Sequence, residues 1–130
     1  MAPRTRAAGL IRGARAEGRN LLEHEALRLL EEYGFPLPRF EVLPFGKHLS
    51  PGDLSGLSYP LVAKAVSPQI VHKTEAGAVR LNIQGEEELL EAIREMETSI
   101  AEHAPTAVIE GWLVRPYVPE GTEIIAGTIV

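Results

Sequence analysis

Lys64, His72, Lys73, Thr74 and Gly77 lie within one short stretch of a 130-residue chain. Together they have the composition of a loop that handles phosphate. A neutral imidazole is a nucleophile near pH 7 and can accept a phosphoryl group on nitrogen and give it up again. Lys73 and Thr74 can donate to phosphate oxygens, Pro68 stiffens the loop entry, and Gly77 lets backbone N–H groups approach an anion. The alternative for His72 is a polar loop histidine or a metal ligand, although His24, His48 and His103 are scattered and none sits at ligand spacing. Lys64 either lays its stem on a solvated sheet face with its head in water or holds a nucleotide phosphate. By itself "HKTEAGA" is a sparse phosphate-loop pattern, with no second glycine and no Walker spacing.

A second patch comprises Glu110, Glu123 and the segment between them. Its "WLVRPY" strand, with Arg115, can offer backbone groups to a base while a carboxylate accepts ribose hydroxyls. Two cross-strand carboxylates on a solvated hairpin explain the same residues. Trp112 reads as a core or interface anchor.

The elements that must position these groups follow from periodicity and chain breakers. Leu22, Ala26, Leu29, Leu30 and Tyr33 make one apolar stripe, which predicts a helix over Leu21 to Tyr33. Asn20 is its expected cap with Glu23 three residues on, and Gly34 suits the left-handed residue after its end. A short strand is expected around Arg39 to Leu43, then turns through 44–60, a stretch rich in proline and glycine. "LVAKAV" at 61–66 reads as a buried strand with Val62, Lys64 and Val66 on one face. "AVRLNI" at 78–83 reads as a half-buried strand with Val79, Leu81 and Ile83 together. Glu86 to His103 is a second amphipathic helix, with three glutamates in the first turn where the helix dipole favours them. Two strands, "AVIEGWLVRPYV" and "TEIIAGTIV", are expected to pair through a "PEG" hairpin. The order indicates an α+β domain. Val130 falls in the middle of an apolar strand, an edge that calls for more chain or a partner.

Composition narrows the class of function. The net charge is −5, but five arginines against Glu17 give residues 1–20 a charge of +4 and leave −9 on the rest. An acidic body argues against nucleic acid as the partner, and residues 1–19 read as a basic helical lead-in. There is no cysteine, hence no thiolate chemistry. No apolar run approaches the roughly 20 residues that cross a bilayer, so a cytoplasmic, non-membrane protein is expected.

Three stretches, "LLEHEALRLLEEYGFPLPRF", "YPLVAKAVSPQIVHKTEAGAV" followed by "RLNI", and "GTEIIAGTIV", carry a resemblance. From about residue 12 to residue 130 the chain resembles the beta subunit, or ATP-grasp portion, of the ADP-forming acetyl-CoA synthetases, relatives of succinyl-CoA synthetase. The resemblance implies the N-terminal part of an ATP-grasp domain over 20–130, a mixed β-sheet with flanking helices, the C-terminal half being absent. It implies ATP or ADP as ligand and a CoA-binding alpha subunit or domain as partner in a hetero-oligomer. His72 would relay a phosphoryl group between a phosphohistidine on that partner and the nucleotide, in the reversible conversion of acyl-CoA, ADP and phosphate to acid, CoA and ATP. Lys64 would bind phosphate, Lys73 and Thr74 would face the nucleotide, and Glu123 would touch it from the hairpin. Arg115 would fall near the hinge that lines the adenine pocket, by backbone position only.

The departures from that family also matter. Gly77 and Ala78 replace its usual Gly-Gly, and the segment 44–60, a helix in the family, is broken here. The family chain continues into the carboxylates that hold Mg²⁺, so those ligands are expected outside this chain, which has no metal site of its own. Phosphoryl transfer relies on metal and positioned charge, so 130 residues alone are expected to be inactive. The alternatives are a truncated module that keeps docking or nucleotide contacts without turnover, and an ATP-grasp ligase that works through an acyl phosphate.

Overall fold

The computed structural model describes residues 3–50 and 52–129. Pro51 of the turn-rich stretch, the first two residues of the lead-in, and Val130 with the strand end expected there lie outside the described residues. The elements run α1 (Pro3–Ala16), α2 (Glu23–Glu32), β1 (Glu41–Pro44), β2 (Leu61–Val66), β3 (Val79–Ile83), α3 (Glu86–His103) and β4 (Gly111–Pro116). The four strands form one sheet in the order β1-β4-β2-β3, with every pairing antiparallel. The α+β class is as expected.

Alternation along the strands gives the sheet two working faces. Leu61, Ala63 and Ala65 of β2, Trp112 and Val114 of β4 and Leu43 of β1 pack against Leu89, Ala92, Met96 and Ile100 of α3. Trp112 is thus a core residue, 2% exposed. On the other face Val66, Leu113 and Val42 pack against Leu22 and Leu27 at the start of α2. Since α2 covers only that end, the rest of the second face forms a hollow lined by the buried Val62 with Lys64 and Arg115.

The helices start and stop for local reasons, not all of them those expected. Helix α2 begins two residues later than the periodicity suggests, so Glu25, not Glu23, occupies its third position and accepts the Leu22 N–H at 2.8 Å. Asn20 does not cap it. Its far end closes as expected, with Gly34 at φ +81° and the N–H groups of Gly34 and Phe35 donating to the carbonyls of Glu31 and Leu30. Helix α1 buries Ala7 and Ala14, two turns apart, and pairs its Arg6 with Glu32 of α2. The Arg19 fork between the helices grips Glu25 at 2.8 and 2.9 Å, and this bond holds the Glu25 carboxyl below the usual carboxylate range. Among the described residues no helix is long and apolar enough to cross a membrane.

Two expectations about strands fail. Val79, Leu81 and Ile83 do not share a face, because Asn82 at φ +55° adds a residue to β3 between the pairs Ala63–Arg80 and Leu61–Ile83. The parity of the strand flips there. Ile83 goes to the core, and Leu81 is left 52% exposed on the open face. The hairpin through Pro119 and Gly121 does not form either, and residues 121–129 pair with no strand among the described residues. β4 already has β1 on one side and β2 on the other, so a returning strand has no open edge to join.

Gly77 carries a close contact of the fold. It adopts φ +66°, and a Cβ there would collide with the Ser99 side chain of α3. Gly77→Ala is expected to lower stability by about 1–3 kcal/mol in urea unfolding. Gly9→Ala, in the middle of α1 where an added methyl meets nothing, is expected to raise it by about 0.5–1 kcal/mol. Equal effects at the two positions would contradict this packing.

Candidate functional site

Lys64 stands on the open face of β2, between its cross-strand neighbours Val79 and Leu113. That face is the one alternation assigns to it. Its head does not reach bulk water freely, since Lys64 Nζ donates to Glu23 Oε1 at 2.9 Å. The other oxygen of the same carboxylate accepts from Lys73 Nζ at 3.2 Å. One acid in the first turn of α2 therefore joins a strand residue 41 positions away and a loop residue 50 positions away. All three side chains are largely covered, at 19%, 21% and 28% exposed for Lys64, Lys73 and Glu23.

The electrostatics of the trio are set by competition. Burial pushes the Glu23 carboxyl up, and the hydrogen bond and charge of Lys64, followed by those of Lys73, outweigh it and hold the group below its ordinary value. Two ammonium groups and one carboxylate leave a net charge of +1, an environment that attracts an anion.

The loop from Ser67 to Ala78 fixes Lys73 by its backbone. Ala76 N–H donates to His72 O at 3.2 Å, Gly77 N–H to Thr74 O at 3.2 Å and Ala78 N–H to Lys73 O at 2.7 Å. This is a single helical turn closed by a left-handed glycine. Ser99 Oγ donates to Ala76 O at 3.0 Å and ties the turn to α3. Gly77 thus shapes the turn and admits α3; its backbone faces the helix closely.

A single turn points successive side chains in different directions. Lys73 faces Glu23. Thr74 lines a hollow of about 380 Å³ on the open sheet face, with Lys64, Val62, Val79, Leu81 and Arg115 around it and Tyr117 at its rim. Val79 and Leu81 reach this hollow by ordinary alternation, and the parity flip at Asn82 takes Ile83 away from it to the core. Arg115 Nε is buried there without a hydrogen-bond partner among the described residues, and Tyr117 N–H donates to Pro60 O at 2.9 Å, which fixes the chain leaving β4. His72 is exposed and lines a separate hollow with Gln69, Glu75 and His103. Lys64, Thr74 and Arg115 are thus brought together, Lys73 joins Lys64 through Glu23, and His72 is not brought into their hollow but lies in another beside His103 at the end of α3. Glu123 is exposed on the unpaired 121–129 segment, and Glu110 is exposed before β4.

Glu23 and His24 were not among the residues that sequence singled out for chemistry. Glu23 looked like half of a cap. His24 is half-buried, its Nδ1 has no partner among the described residues, and burial above all lowers its pKa. Among the described residues no three His, Asp or Glu side chains are grouped to hold a metal.

Residues 13–129 match the ATP-grasp domain family. The chain belongs to that family. Its sequence is 40% identical over 121 residues to the beta subunit of acetate–CoA ligase [ADP-forming] I of Pyrococcus furiosus, covering 92% of this chain and 51% of the relative. Its fold matches, with a TM-score of 0.76 and 34% identity, an acetyl-coenzyme A synthetase 1 of Ca. Korarchaeum cryptofilum solved with coenzyme A and Ca-AMPCP, covering 88% of this chain and 50% of that one. A second structure of that enzyme, with coenzyme A and Mg-AMPPCP and its phosphohistidine segment pointing towards the nucleotide binding site, matches with a TM-score of 0.64 at 31% identity over 88% of this chain and 46% of that one. This ATP-grasp chain spans about half the length of these relatives.

The lowered Glu23 carboxyl supplies stability above the ordinary glutamate pKa, and that stability is lost as pH falls through the depressed folded value. Lys64→Met is therefore expected to cost about 1–2 kcal/mol near neutral pH. The cost should shrink steadily as urea unfolding is repeated at lower pH through the acid range. A cost that does not change with pH would show that Lys64 contributes packing and not charge.

Proposed function

We propose that the chain is the nucleotide-binding part of an ADP-forming acyl-CoA synthetase and works with a CoA-binding subunit or domain in the cytoplasm. The observation that carries this reading is Lys64, which lines an open hollow and shares the Glu23 carboxylate with Lys73, in a chain similar to acetate–CoA ligase beta subunits.

In this reading the base of ADP or ATP lies on Val62, Val79 and Leu81 near the Arg115–Tyr117 segment, where the unpartnered Arg115 Nε is available as a donor. Lys64 and Lys73 take the phosphates, Thr74 adds a hydroxyl donor, and Glu123 contributes a contact from the segment after β4. Gly77 serves indirectly by shaping the turn. A nitrogen of the exposed His72 ring takes the phosphoryl group: an N–P bond forms as a P–O bond breaks, and in reverse the group returns to ADP. The related Korarchaeum enzyme, with its phosphohistidine segment pointing towards the nucleotide binding site, supports such a handover. The described residues do not suit a Mg²⁺ ion, so its ligands would come from elsewhere and no step here runs through it.

The test uses the complete protein with its CoA-binding partner and ATP labelled in the γ-phosphate. Acid-labile, base-stable label is expected on this chain, and His72→Ala should remove it and lower kcat by at least about 10³-fold. Label on the partner alone would show that His72 is only structural, and a fully active His72→Ala with no protein-bound label would favour an acyl-phosphate ligase. No label and no turnover in the intact complex would favour a module that only docks or binds nucleotide.

A further inference from the structure

The carboxylate of Glu23 has no part in the phosphoryl relay as such, yet both lysines assigned to phosphate end on it. A surface ion pair needs only one partner, and a long lysine side chain loses considerable rotamer freedom when it is held. Here two lysines from separate elements, a strand and a loop, are held by the two oxygens of one group. Each ammonium has three N–H donors, and among the described residues each makes this one hydrogen bond, so two donors per lysine stay available. The anchor comes from outside the sheet, from α2, whose start is fixed in turn by the Leu22 N–H to Glu25 bond and by the Arg19 fork on Glu25.

We infer that Glu23 is a positioning residue for phosphoryl transfer: its carboxylate fixes the ammonium groups of Lys64 and Lys73 so that their free donors converge on the transferred phosphoryl group. The inference rests on the nucleotide-binding reading above. Its direction is set by two opposed effects. A carboxylate near the phosphates repels them, so removing its charge raises the local net charge from +1 to +2 and favours nucleotide binding. The same removal frees both lysines, and geometry that is lost costs rate far more than it costs binding.

Glu23→Gln and Glu23→Asp are compared with wild type in the complete protein with its CoA-binding partner, measuring ADP affinity by calorimetry, kcat at saturating substrates, and thermal unfolding. Glu23→Gln is expected to lower kcat roughly 10- to 100-fold while ADP affinity is kept or increased. Glu23→Asp, which keeps the charge on a shorter stem, should recover part of the rate. An unchanged kcat overturns the inference, as does a fall in ADP affinity equal to the fall in kcat and accompanied by a lower melting temperature, which marks a purely structural ion pair. In either of those cases wild type still binds ADP and labels on His72, so the nucleotide reading stands. A wild-type complex that binds no ADP overturns both.

Discussion

One half-buried carboxylate shared by two ammonium groups is the constraint around which the open face of the sheet is organised. Lys64 sits in an apolar strand and cannot be left there unpaired without a large desolvation cost. Glu23 meets that requirement with Oε1 and, through Oε2, draws Lys73 and the loop that carries it toward the same point. Three separate pieces of chain, the start of α2, the middle of β2 and the turn before β3, are thereby fixed relative to one another. The balance of one acid against two bases keeps the place attractive to anions.

The remaining architecture supports that point from both sides. Helix α3 fills the opposite face of the sheet with Leu89, Met96 and Ile100 and holds the loop from behind, where Ser99 bonds Ala76 and fits against Gly77. Helix α2 covers only the Val66 and Leu113 end of the near face. The remainder is a hollow lined by the buried Val62 with Val79 and Leu81 and by the basic Lys64 and Arg115, a shape suited to a flat base with charged phosphates beside it. The extra residue at Asn82 ends the floor of that hollow at Leu81 by turning Ile83 into the core.

Much of this was legible in the residues, for identifiable reasons. The β2 strand at 61–66 and α3 at 86–103 fall where the apolar run and the amphipathic stripe put them, because both are locally determined. The face of Lys64 followed from alternation alone. The role of Glu23 was not legible, since an acid in a first helical turn has a sufficient local explanation and its real partners lie 41 and 50 residues away. The position of Ile83 was missed because one left-handed asparagine reverses a strand's parity without altering its hydrophobic pattern. The hairpin at 119–121 was misread because turn residues report only that a turn is possible, whereas pairing also needs a free strand edge, and β4 has none.

The most direct measurement is a crystal structure of the complete protein with a non-hydrolysable ATP analogue. The β- or γ-phosphate oxygens should lie within hydrogen-bond distance of Lys64 Nζ and Lys73 Nζ, with Glu23 still touching both and the base on Val62 and Leu81. Phosphates bound away from both lysines, with the hollow of Val62, Leu81 and Arg115 empty, would contradict the assignment of this face to the nucleotide.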